Sequence, residues 1–163
     1  MLYFRLWFAF LQHCFRALFH SSSSLVSIVN SELLGREVFS EKLIRKSTNE
    51  VRPGLFMPKE SDRRPLSVNR LNFADRILFL RLGGKHARNR RLTFYGFAEL
   101  TAQQARQVKS DEGWQMDVRA TPKVTNPFHA DLTIQEDKDK SYDLMIAEQI
   151  CRFARFRGPT QTS

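Results

Sequence analysis

Groups that bind metals or act as nucleophiles are scarce in this chain. There are two cysteines, Cys14 and Cys151, far apart and in no CxxC or CxxH spacing. That argues against a disulfide framework and against a Cys-based zinc site, and it fits a reducing compartment, so a cytoplasmic protein is expected. Only four histidines occur, at 13, 20, 86 and 129, with no HExxH, so no metal centre is expected. GxSxG is missing, and neither cysteine has a base close by in sequence. Gly83–Gly84 stands without the GxxxxGK[ST] or GxGxxG that would make it a phosphate loop. No cofactor is implied.

Acidic residues are also in deficit. Twenty-six Lys and Arg face 17 Asp and Glu, for a net charge of +9 and a pI near 10.1. Such a field attracts polyanions: RNA, DNA, nucleotides or an acidic membrane surface. Charge by itself does not choose among them. At 163 residues, 42% hydrophobic, the chain is long enough for one domain with a real core.

A long uninterrupted apolar run is absent as well. Met1–His20 carries five phenylalanines, but Arg5, Gln12, His13 and Arg16 break it, and no small-residue cleavage site follows. Phe4, Phe8, Leu11, Phe15 and Phe19 recur at helical spacing and share one face. Three readings stay open: a helix lying on a membrane surface, a helix docked on the domain or a partner, or a weakly ordered extension. Ser21–Ser24 reads as a linker. Residues 1–30 are therefore taken as an amphipathic extension, 31–157 as the domain and 158–163 as a disordered tail.

Within the domain, Ser31–Lys46 reads as a short helix or turn and then a strand, and residues 47–65 as a proline-rich loop. Leu66–Leu71 alternates as a strand. Asn72 can cap a helix starting at Phe73 or Ala74, with Phe73, Ile77, Leu78 and Leu82 as its buried stripe. Two glycines in a row predict a stop or kink at 83–84. Leu92–Leu100 reads as a strand, and Thr101 caps a short helix. Trp114–Thr121 and His129–Ile134 alternate as strands, and a last helix spans 141–157 with Tyr142, Met145, Ile146, Ile150 and Phe153 inward. The expected class is α+β: a mostly antiparallel sheet with helices packed on one face.

Two places can carry chemistry. If the strands flanking 122–128 form a hairpin with aligned apolar faces, Thr121 lies opposite His129, Arg119 opposite Asp131 and Asp117 opposite Thr133. His129 beside Asp131 is then a candidate acid–base, and Arg119 or Arg70 a candidate anion clamp. The bland alternative is a solvated face with one ion pair. The second place is the acid-free run with Arg81, Lys85, His86, Arg88, Arg90 and Arg91, followed by Phe94, Tyr95 and Phe97. Cations beside aromatics suit nucleic-acid binding, through phosphate contact and base stacking, with Arg70, Lys85, Arg88, Arg90, Arg91 and Tyr95 as contacts. The RNP spacing and the GXXG of known RNA-binding modules are absent.

The segments LSVNRL, RLTFYGFAEL and NPFHADLTI resemble, in this order, a family of small bacterial proteins without an assigned activity. The resemblance spans about Ser31–Arg157 and implies no catalytic roles. It singles out Arg70, Arg91, Tyr95, Gly96, Asn126, Pro127, His129, Ala130 and Asp131. The expectation is thus a basic domain that binds nucleic acid or a nucleotide-like anion. A small enzyme using His129 on a phosphate- or ribose-containing substrate is the alternative, and a structural or interaction module with peripheral membrane contact through residues 1–20 is the third.

Overall fold

The computed structural model describes residues 27–58, 65–110, 113, 115–133 and 140–159. The predicted N-terminal helix, the serine linker and Trp114 lie outside them.

The described residues build an eight-stranded sheet and three α-helices, an α+β arrangement. The strands are β1 (Leu33–Val38), β2 (Ile44–Arg45), β3 (Glu50–Val51), β4 (Leu66–Arg70), β5 (Gly96–Thr101), β6 (Asp117–Ala120), β7 (His129–Thr133) and β8 (Arg155–Arg157). The helices are α1 (Arg76–Arg90), α2 (Ala102–Arg106) and α3 (Lys140–Phe153). Strand order is β2-β3-β8-β5-β1-β4-β7-β6, and every described strand pairing is antiparallel.

Alternation along the strands sorts side chains to two faces. On one face Leu34, Val38, Val68, Ala98, Leu100, Val118, Ala130 and Leu132 form the main core with Ala102 and Ala105 of α2 and Ile146, Ala147 and Ile150 of α3. On the other, Phe97 meets Phe79 of α1 and Phe128. Phe97 and Ala98 are neighbours on β5, so they point to opposite sides. The helices therefore cover both faces, not one as expected. The second cluster is aromatic: Phe79 and Phe128 meet edge-on at 5.6 Å, and Phe94 and Phe97 at 5.2 Å. Edge contacts of this kind add about 0.5–1.5 kcal/mol each beyond area burial.

α1 departs furthest from its sequence reading. Residues 71–73 form a 3₁₀ turn, and the cap is Asp75, whose carboxylate accepts from the Ile77 N–H at 3.1 Å. Asn72 instead accepts from the Leu33 N–H. The buried stripe is Phe79, Gly83 and Ala87, while Ile77 and Leu78 are 54% and 47% exposed. The helix runs through both glycines to Arg90 and ends with Arg91 in the left-handed region at φ 55°. Gly83 has a packing reason. A methyl group there would stand 2.5 Å from the Phe94 ring.

Other departures are smaller. Residues 33–38 are all strand, and the 47–65 loop supplies β3 and a 3₁₀ turn whose Leu55, with the following Phe56, joins the main core. The last helix stops at Phe153, and 155–157 form a strand. Ile28 is a core residue, so packing begins before Ser31. Arg106 donates to its carbonyl at 2.8 Å, and the Gln103 N–H to that of Asn30 at 2.9 Å. Gly158, assigned to the tail, is buried, and its carbonyl accepts from Arg76 of α1. The short helix is as expected: Thr101 and Gln104 form a reciprocal capping box. No helix among the described residues is long and apolar enough to cross a membrane.

Candidate functional site: a polar seam and a basic helix face

The hairpin has the register that aligned apolar faces require. Arg119 is opposite Asp131, Asp117 is opposite Thr133, and the Thr121 N–H donates to the His129 carbonyl at 3.0 Å. The side chains nevertheless pair differently from a single four-residue cluster. Arg119 turns to Asp117 on its own strand, 2.5 Å away, and is largely exposed. Asp131 accepts from the Thr121 hydroxyl at 2.8 Å.

His129 is buried, and both ring nitrogens are engaged. Nδ1 lies 3.0 Å from the Thr121 carbonyl and 2.8 Å from its hydroxyl. A carbonyl only accepts, so Nδ1 carries the proton. Nε2 is then the acceptor, 2.8 Å from the Lys123 ammonium, with Asp131 farther off at 3.8 Å. Burial pushes the imidazole pKa below its usual value; Asp131 pulls it up and Lys123 pushes it further down. A neutral ring already bonded on both sides holds a turn well. Its Nε2 lone pair is covered by a cation, which disfavours a role as general base.

The turn is tied to the sheet by Asn126, which the resemblance singles out, and by Asn69, which the sequence reading did not. Asn126 is buried; its Oδ1 accepts from the Phe128 N–H at 3.2 Å and its Nδ2 donates to Asn69 Oδ1 at 2.7 Å. Asn69 sits opposite His129 in the β4–β7 ladder and reaches Glu37 on β1 at 3.5 Å. Glu37 in turn meets His86 of α1 at 2.9 Å. A polar seam therefore crosses the sheet from α1 to the 126–129 turn. Alternation in β4 sets Asn69 on the face opposite Leu66 and Val68, where the sequence pattern gives no sign that it is buried.

Arg70 lies on the opposite face of β4. It is 1% exposed, donates to both carboxylate oxygens of Glu32 at 2.5 and 3.0 Å, to the Ser27 carbonyl at 3.0 Å, and stands 4.2 Å over the Phe73 ring. It is a buried structural ion pair rather than an anion clamp beside His129.

The basic run stands apart from all this. Arg81, Lys85, Arg88, Arg90 and Arg91 are all exposed. Among the described residues none of the five has a carboxylate within ion-pair distance. At 100° per residue Arg81, Lys85 and Arg88 share the solvent side of α1, opposite Phe79, Gly83 and Ala87. His86 faces Glu37 instead. The aromatics that follow are turned into the protein to different degrees. Phe94 covers Gly83, Phe97 is 1% exposed, and Tyr95 is half-buried against the main core.

Cys151 is half-buried, and burial pushes its thiol up to about 12, so it stays protonated. Among the described residues no three His, Cys, Asp or Glu side chains are grouped to hold a metal ion. No protein-family model matches the chain, and no curated protein or solved structure matches it significantly.

Proposed function

We propose that this protein binds a nucleic-acid backbone through the outer face of α1. The observation that carries the reading is the set of exposed cations Arg81, Lys85 and Arg88 on that face, followed at the helix end by exposed Arg90 and Arg91, none with a carboxylate partner among the described residues. Cations that serve a fold are paired or laid along apolar surface; among the described residues Arg90 stands 5.5 Å over the Phe39 ring, and no ring contact is found for the other four. An unneutralised row on a rigid helix is an electrostatic footprint for phosphates. With Phe97 buried and Phe94 and Tyr95 half-buried, this reading assigns the contact to the backbone rather than to the bases. Fluorescence anisotropy with a short RNA, at low and at physiological salt, tests this. Binding that weakens with salt is expected; no binding at low salt, or binding indifferent to salt, overturns it.

The other reading, a small enzyme using His129 on a phosphate- or ribose-containing substrate, has less support, because Thr121 and Lys123 occupy both ring nitrogens.

A further inference from the structure

The two glycines of α1 differ. Gly83 is required by Phe94, but a methyl group at Gly84 would meet only Nη1 of Arg88, at 3.7 Å. A glycine inside a helix weakens it relative to alanine, and where no neighbour fills the space of its missing side chain the bare backbone leaves room for a close approach. Gly84 also lies amid the basic stripe, between Arg81 and Arg88 on the flank of α1 that turns toward β8. Two contacts fix that flank. Arg76 donates to the Gly158 carbonyl just after β8, whereas His86, on the other flank, meets Glu37 of β1.

β8 brings its own cation to this side. Arg157 is opposite Phe97 in the β5–β8 ladder, so it shares the face of Phe97, which is buried against Phe79 of α1. Arg157 is exposed and has no carboxylate within ion-pair distance among the described residues. The α1 cations and Arg157 therefore stand at two heights on one side of the molecule. One helix-on-sheet layer separates them, on the order of 10 Å.

Resting on the reading of α1 as a backbone-binding face, we infer that Arg81 and Arg88 on one side and Arg157 on the other form a groove floored by Gly84, and that its ligand is a nucleic-acid duplex. A duplex presents two phosphate rows, one to the α1 cations and the other to Arg157, all held by regular elements. A single strand gains from exposed aromatic rings, and the large hydrophobic side chains exposed among the described residues are Val29, Ile77, Leu78, Leu92, Val124 and Leu144, none of them aromatic.

The test uses the full chain with four labelled probes: an RNA duplex, a DNA duplex, a single strand of equal length, and vesicles of phosphatidylcholine with phosphatidylserine. Arg81→Ala/Arg88→Ala reports on the α1 face itself. Arg157→Ala is expected to weaken duplex binding several-fold and to lower the salt slope by about one, with Arg157→Lys restoring both. Gly84→Leu is expected to weaken duplex binding with its circular-dichroism melt unchanged or raised. Gly84→Ala, which favours helix, gives the same readout should leucine disturb the fold. If Arg81→Ala/Arg88→Ala loses binding while the Arg157 and Gly84 variants bind like wild type, the groove is refuted and the α1 face stands. Equal affinity for single strand and duplex refutes the duplex assignment. Binding to the vesicles alone, or to none of the probes, refutes the α1 reading along with it.

Discussion

The polar edge around His129 and the outer face of α1 carry comparable numbers of ionisable groups and treat them in opposite ways. At the edge, His129, Thr121, Asp131 and Lys123 satisfy one another, and Asn126 and Asn69 continue the seam toward Glu37 and His86. On α1, Arg81, Lys85 and Arg88 point away from the carboxylates that, among the described residues, form ion pairs with this helix, Glu99 with Arg76 and Glu37 with His86. A buried polar group left without a partner costs about 1–3 kcal/mol, so an internally completed cluster is what a stable fold needs. Exposed cations carry no such requirement, and a row of them lowers the free energy only when an anion arrives. The contrast separates residues that hold this protein together from residues free to hold something else.

The comparison breaks hardest at Arg70. Arg70→Ala leaves Glu32 charged and buried, and a loss of about 3–5 kcal/mol in urea unfolding is expected. A loss below about 1 kcal/mol would mean that the pair is not an internal support at all. Next in size is Arg81→Ala/Lys85→Ala/Arg88→Ala. It should weaken nucleic-acid binding by about two orders of magnitude at low salt and cut the salt slope by about three, with stability within about 0.5 kcal/mol of wild type. A large stability loss there would place these side chains with the fold after all.

Asn126→Ala removes the partner of Asn69 and the acceptor for Phe128, and should cost about 1–3 kcal/mol without altering the salt slope. The smallest effect concerns pH. Burial sets the folded pKa of His129 below the ordinary 6.5, so the unfolded chain takes up the proton first on acidification. The contribution is complete above the unfolded value and is lost as pH falls through the window between the unfolded and folded values. His129→Gln should flatten that limb of a stability–pH profile; an unchanged limb assigns it to another group.

The residues differ in how much of their role a linear reading can reach. β6 and β7 were legible, since strict alternation fixes which side chains face together, and the register of Arg119 opposite Asp131 follows from it. The capping box of Thr101 and Gln104 was legible because it is a local interaction. α1 was misread because a glycine is judged by propensity, whereas Gly83 is held by Phe94, eleven positions on and brought over it by the fold. β8 was hidden because Arg-Phe-Arg continues a helical pattern equally well. Arg70 and Asn69 are adjacent, and nothing in their order says that one is locked to Glu32 and the other to Asn126.

The sequence by itself determined the net charge of +9, the placing of cations without acids along 81–91, the antiparallel hairpin and the α+β class. Each depends on composition or on a local period, two for strands and about 3.6 for helices, and none needs distant residues to meet. Only the tertiary structure decided which polar groups are already satisfied. Pairing is a matter of distance between atoms that the sheet order brings together, and it divides Arg70 and His129, bonded within, from Arg81, Lys85, Arg88 and Arg157, whose charges face solvent.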